Sequence, residues 1–186
     1  LVYVRSREEA PADVAERKRY VTSGCGKGVT FASVGHARGV EPVVSSATVS
    51  PDVMYDLMGQ LARAAAAYRD TGGVHSCGLG VNGELVRVRE DVGRHNALDK
   101  LFGRAWLDGI PTQDALLLTT GRISYEMAVK AAKARVPVVA SRTAVTDLAA
   151  EVAERAAITL VGYARGGKLV VYTNPQRITP SEEAHS

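Results

Sequence analysis

Leu79-Gly80-Val81-Asn82-Gly83-Glu84-Leu85-Val86-Arg87-Val88 sets two short apolar runs on either side of an Asn-Gly dipeptide. That dipeptide accepts the left-handed backbone at both turn positions, so the segment predicts an antiparallel hairpin. Upstream, Val53, Leu57, Leu61, Ala64, Ala65 and Tyr68 recur at helical spacing behind Pro51 and predict one amphipathic helix. Downstream, Leu98, Leu101, Phe102 and Ala105 form the stripe of a second helix that ends near Asp108-Gly109, ahead of Pro111. Strand and helix then alternate. Ala115 to Leu118 reads as a buried strand, Ser124 to Ala134 as a helix, Pro137 to Ala140 as a strand and Thr146 to Ala157 as a helix, with Ile158 to Val161 and Lys168 to Tyr172 as strands. A hairpin followed by such alternation implies an α/β fold, a layered mixed sheet with helices, part parallel and part antiparallel.

The 186 residues, 46% of them hydrophobic, suit one domain with a core of its own. The expected divisions are a charged lead-in over residues 1–20, a single domain over 21–178 and a polar tail over 179–186. Because the chain opens on Leu1, the gene product is expected to extend further upstream. A net charge of +3 is too mild for a nucleic-acid footprint and compatible with a small anionic ligand. Two cysteines, Cys25 and Cys77, make no disulfide framework and fit a reducing compartment, the cytoplasm by default. No apolar run approaches the ~18 residues of a membrane span, and no signal-peptide pattern is visible.

The densest polar stretch is Arg89-Glu90-Asp91-Val92-Gly93-Arg94-His95-Asn96-Ala97-Leu98-Asp99-Lys100, at a helix start. Helix starts ordinarily use one capping residue, so this mixture of both charges, a histidine and an amide suggests a place where something is held. Two further turns share its grammar: Thr119-Thr120-Gly121-Arg122-Ile123-Ser124 and Ser141-Arg142-Thr143-Ala144-Val145-Thr146. Each sets an arginine ahead of a helix N-terminus, where amide donors and a planar guanidinium suit phosphate. Arg94, Arg122 and Arg142 taken singly are equally well read as ion-pair partners of Glu90, Asp91, Glu126 or Asp147. Together they favour an anion cradle. Glu126 and Lys130, four apart, read as a surface helix pair. His95 and Asp99 have the same spacing and share one helical face.

Thr71-Gly72-Gly73-Val74-His75-Ser76-Cys77 reads as a tight loop before the hairpin, with His75 exposed at a loop or strand start, or else satisfied within the core. Gly162-Tyr163-Ala164-Arg165-Gly166-Gly167-Lys168 reads locally as a hairpin turn carrying a basic pair. Ser23-Gly24-Cys25-Gly26-Lys27-Gly28 sets a thiol among glycines beside a lysine, a setting that favours the thiolate and marks Cys25 as a nucleophile. Cys77 reads as core packing. No zinc spacing occurs.

The blocks Thr71-Gly72-Gly73-x-His75, Arg89 to Lys100, Gly121-Arg122-x-Ser124-x-Glu126-Met127 and the Ser141-to-Leu148 turn together resemble the FdhD-type formate dehydrogenase accessory sulfurtransferases, from about Thr22 to Thr173. The resemblance implies a cytidine-deaminase-like fold without its zinc, a cytoplasmic homodimer, and an N-terminal region beyond this chain. It implies a sulfur relay in which a cysteine desulfurase gives persulfide sulfur to a loop cysteine. That cysteine passes it to molybdenum in the bis(molybdopterin guanine dinucleotide) cofactor destined for formate dehydrogenase. Cys25 takes the loop position. The family's Cys-Gly-x-Cys pattern has Gly28 at its second place here, so a single-thiol scheme is expected.

Tyr163, Ala164, Arg165, Gly166, Gly167 and Lys168 match the family's cofactor-binding segment. Gly72, Gly73, His75, Arg94, His95, Asn96, Gly121, Arg122, Ser124 and Arg142 complete the expected cofactor site, with His75 or His95 moving a proton. Neither nucleic acid nor membrane is an expected partner, and no protein-bound zinc is expected. A chaperone that binds the molybdenum cofactor without covalent sulfur is the alternative. A nucleotide hydrolase using His95 and Asp99 fits less well, since no Walker-type loop or metal carboxylate cluster is present.

Overall fold

In a computed structural model, which describes residues 40–180, helix α1 (Pro51–Ala64) begins where the Ser50 hydroxyl accepts the Val53 N–H and Pro51 occupies the first turn. Its buried stripe is Met54, Leu57, Met58 and Leu61. The single helix expected through Tyr68 breaks at Ala65 and restarts as α2 (Ala66–Thr71). The Glu90 carboxylate supplies the cap for this restart, accepting the Ala67 and Tyr68 N–H groups at 3.0 and 2.9 Å.

The hairpin forms as expected, from β1 (His75–Val81) and β2 (Glu84–Asp91), with Asn82 and Gly83 both at positive φ. Strand β1 starts four residues earlier than its apolar run, at His75. Helix α3 (Arg94–Leu107) follows, then β3 (Leu116–Thr119), α4 (Tyr125–Lys133), β4 (Val138–Ser141), α5 (Asp147–Arg155), β5 (Thr159–Arg165) and β6 (Lys168–Val171), with a 3-10 turn over Pro175–Arg177. The sheet order is β2-β1-β3-β4-β5-β6. Strands β3, β4 and β5 are parallel, while β2, β1 and β6 run against their neighbours. The architecture is the expected mixed α/β one.

Alternation along the strands loads both faces of the sheet. Leu79, Leu117, Val139 and Leu160 pack with Leu98 and Leu101 of α3, Met127 of α4 and Val152 of α5. On the other face Leu118, Ala140 and Val161 meet the α1 stripe. Helix α1 comes close because β1 presents Gly78 and Gly80 to it: a Cβ there would lie 3.1 Å from Leu61 Cδ1 and 2.9 Å from Leu57 Cδ1 respectively.

This strand order gathers specific chain segments on one sheet edge. The carboxyl ends of β3, β4 and β5 point the same way. So do the start of β1, the end of β2 with the first turn of α3, and the start of β6. Loops at the carboxyl ends of parallel strands are where such sheets hold ligands.

Candidate functional site

Every expected site residue within the described range lies along that edge. Cys25, its glycine-rich loop, the charged lead-in and residues 181–186 of the tail lie outside the described residues. The β3–α4 and β4–α5 turns sit side by side. The Arg142 N–H donates to Thr119 O at 3.1 Å, and Ile123, fully buried, exchanges backbone hydrogen bonds with the second turn through Ala144 O and the Thr146 N–H. These bonds fix the backbone on both sides of Arg122.

The edge hydroxyls are spent on the backbone. Thr119 Oγ1 accepts the Gly121 N–H, the Ser141 hydroxyl donates to Gly121 O, Ser141 Oγ accepts the Thr143 N–H, and Thr120 Oγ1 accepts the Ser76 N–H. What remains to meet a ligand is guanidinium and imidazole. Arg122, Arg142 and Arg165 make no side-chain ion pair or hydrogen bond among the described residues. Three of the four acids that competed for them are otherwise engaged. Asp91 is held by Lys100, the Gly93 N–H and Asn96, Glu126 faces His95, and Glu90 caps α2 and accepts the Ser76 hydroxyl. Lys100 and then the Gly93 N–H pull the Asp91 carboxyl down to about 2. Asn96 is thus a partner of Asp91 within the β2–α3 turn.

The two histidines differ. His95 Nε2 lies 3.2 Å from Ser124 Oγ and 3.3 Å from Glu126 Oε2, while Asp99, one turn on, is bound by Lys130 at 2.6 Å. The expected Glu126–Lys130 pair within α4 is therefore replaced by two contacts between α3 and α4: Lys130 meets the opposite charge of Asp99, and the Glu126 carboxylate faces the His95 ring. The same pairs separate His95 from Asp99, which leaves the hydrolase pairing without geometry. His75 stands at the start of β1, half-buried, with no hydrogen-bond partner among the described residues. A Cβ on Gly121 would fall 3.1 Å from both His75 Nδ1 and Arg94 Cβ, so glycine at 121 is what lets these side chains meet. Burial first, and the Arg94 guanidinium second, hold both imidazoles below their ordinary range, which leaves them neutral at pH 7.

At the other end of the edge, the segment Tyr163 to Lys168 is the hairpin turn it reads as locally. Gly166 and Gly167 both take positive φ between the paired Arg165 and Lys168. An irregularity in the ladder begins after Gly162, where Tyr163 has φ 53° and donates its N–H to Thr143 O. Ala164 is buried. The turn overhangs a cleft of about 260 Å³ lined by Arg142, Arg165, Gly166 and Gly167 on one side and Tyr55, Met58, Gly59 and Ala62 of α1 on the other. Arg142 belongs to both halves, through its N–H to Thr119 and its place in the cleft wall. Gly72 and Gly73 serve the chain instead: Gly72, at φ 61°, ends α2, and the Gly73 N–H donates to Thr71 Oγ1.

The α1 wall was not legible as part of a site. Its one signal is Gly59, a helix-interior glycine, which costs about 1 kcal/mol relative to alanine and so asks for a reason. Cys77 is sealed in the core, its thiol pushed up to about 12 by burial, which makes it packing, as expected. Among the described residues, no group of three or more His, Cys, Asp or Glu could hold a metal ion, and no helix is long and apolar enough to cross a membrane.

A family model described as FdhD/NarQ matches residues 1–179. The chain belongs to the FdhD/NarQ family. It is 42% identical over 161 residues to the sulfur carrier protein FdhD of Bacillus subtilis, covering 87% of this chain and 62% of that relative. It is 39% identical over 184 residues to FdhD of Halalkalibacterium halodurans, covering 97% and 68%. A crystal structure of a protein described as a formate dehydrogenase accessory protein from Desulfotalea psychrophila superposes with a TM-score of 0.72 at 31% identity, over 78% of this chain and 62% of that one. The chain thus spans 62% of the length of its Bacillus FdhD relative.

Proposed function

We propose that the chain is a sulfur carrier. Cys25 accepts persulfide sulfur from a cysteine desulfurase and delivers it to the molybdenum of bis(molybdopterin guanine dinucleotide), the cargo that a formate dehydrogenase then receives. The carrier works in the cytoplasm as a homodimer. The observation that carries the reading is the gathering of Arg94, Arg122, Arg142 and Arg165 along one sheet edge of an FdhD/NarQ family chain. Three of those guanidiniums have no side-chain ion pair among the described residues. Each charge-assisted bond from arginine to a phosphate oxygen contributes about 1.5–3 kcal/mol, so two or three hold a pyrophosphate without a metal. The cleft under the Arg165 turn, with the Tyr55 ring and apolar Met58 and Ala62 in its wall, suits a flat base attached to that pyrophosphate.

Cys25 has the flanks of a reactive thiolate, and thiolate attack on a persulfide needs a single thiol on the acceptor. The test separates carrying from mere binding. Cys25→Ala should keep its affinity for guanosine diphosphate, used as the probe, and lose its ability to mature formate dehydrogenase. A variant that keeps both identifies a chaperone that holds the cofactor without covalent sulfur.

A further inference from the structure

Gly59 is a helix-interior glycine that neither the backbone nor the core requires. Its φ is not positive, and the three nearest atoms that a Cβ there would meet all belong to the Arg63 guanidinium, at 3.4, 4.0 and 4.0 Å. Those are ordinary contacts with the tip of a flexible side chain, which reaches on to Asp56 at 3.9 Å in an exposed pair of little worth. Gly78 and Gly80 differ, since a Cβ there would press to 2.8 Å from Leu85 Cδ1 and 2.9 Å from Leu57 Cδ1. What Gly59 does face is the cleft. Tyr55, Gly59 and Ala62 follow one another at i, i+4 and i+7 along one side of α1, and Arg142 and Arg165 stand in the opposite wall of the same 260 Å³. Between a tyrosine ring and a methyl group, the wall at Gly59 is bare peptide.

We propose that Gly59 is a specificity-determining position, where the bare backbone of α1 seats the face of the guanine ring while the guanidiniums opposite hold the diphosphate. The inference rests on the cofactor-binding reading above. Glycine is the residue that lets a ligand approach the backbone closely, and a planar ring gains most when its whole face meets atoms at about 3.5–4.0 Å. A methyl group at 59 takes up space that the ring needs. The phosphates, bound across the cleft by charge, do not depend on it. Recognition of shape on α1 is thereby separate from recognition of charge at Arg142 and Arg165.

The test is calorimetric titration of the full chain with guanosine diphosphate and with inorganic pyrophosphate, beside thermal melts. Gly59→Ala should raise Tm by about 2–4 °C, because alanine favours a helix interior, and should weaken guanosine diphosphate about tenfold while pyrophosphate binds as it does to the wild type. Gly59→Leu should bring guanosine diphosphate down to the affinity of pyrophosphate. Gly103→Ala, at an exposed interior glycine of α3 that is not part of the cleft wall, should raise Tm alike and leave both affinities unchanged. A Gly59→Ala protein that binds guanosine diphosphate as the wild type does, that loses both ligands equally or that melts lower overturns the assignment. So does a Gly103→Ala protein that loses the nucleotide as well, since stiffened helices would then explain the effect. A wild type that binds guanosine diphosphate no more tightly than pyrophosphate has no seat for the base, and the assignment falls alone; one that binds neither overturns the cofactor-binding reading itself.

Discussion

Substituting Gly121 by alanine tests the geometry of the edge at its tightest point. The new Cβ would sit 3.1 Å from Arg94 Cβ, 3.1 Å from His75 Nδ1 and 3.3 Å from Arg94 Cδ, where ordinary contact begins at 3.4 Å. The backbone cannot retreat cheaply, because the Gly121 N–H is bound to Thr119 Oγ1 and its carbonyl accepts the Ser141 hydroxyl. The side chains must therefore give by a few tenths of an ångström. Overpacking of this kind costs about 1–3 kcal/mol, and the half-buried His75 can swing outward, so about 1 kcal/mol is expected. In a domain of this size that lowers Tm by about 2–4 °C. Displacing Arg94 costs the ligand more than it costs the fold. Losing one charge-assisted bond of about 1.5–3 kcal/mol weakens guanosine diphosphate binding about tenfold or more. Thermal melts and calorimetric titration of the same preparation read both effects. An alanine variant with wild-type Tm and wild-type affinity would refute the claim that glycine at 121 lets His75 and Arg94 come together.

Arg142→Ala should tip that balance wholly to the ligand: guanosine diphosphate affinity falls about tenfold or more while Tm stays put, since the guanidinium has no ion pair among the described residues; a large fall in Tm would give it a structural role. Gly78→Ala drives a Cβ to 2.8 Å from Leu85 Cδ1 and 3.1 Å from Leu61 Cδ1, so it should cost about 1–3 kcal/mol in denaturant melts without touching the edge, and an unchanged midpoint would contradict the close approach of α1. Acid should destabilise the protein in two stages. Because His75 and His95 lie below 6.5 when folded, the unfolded chain binds more protons as pH falls through that value, and stability declines. Asp91, held at about 2, adds its own loss as pH falls from 3.8 toward 2, and melts that rose on acidification would contradict both signs.

The elements that announced themselves in the sequence were those set by local chemistry. Asn82-Gly83 dictated the hairpin turn, Pro51 and Thr146 marked helix starts, and the arginine-bearing turns fell at strand ends because the alternating pattern puts them there. What stayed hidden depends on contacts between distant residues. The break at Ala65 follows from Glu90, more than twenty positions away, and no propensity at Ala64-Ala65-Ala66 foretells it. The start of β1 at His75 is concealed by glycines and small polar residues, which pair well enough when β2 and β3 flank them but carry little strand preference alone. Spacing suggested a Glu126–Lys130 pair, yet it could not reveal that α3 would present His95 and Asp99 at the matching heights. The cleft wall on α1 was invisible for a related reason: Tyr55, Gly59 and Ala62 flank the buried stripe, and only the turn packed above them makes them part of a cavity.

Where sulfur lands decides whether Cys25 is the carrier thiol. Wild-type chain and Cys25→Ala, each weighed intact without reductant before and after incubation with a cysteine desulfurase and free cysteine, should differ in the mass they gain by one sulfur atom. The wild type gains it, the variant does not, and Cys77, sealed and held near 12, takes none. Sulfur that appears on the Cys25→Ala protein at the wild-type rate would contradict the account.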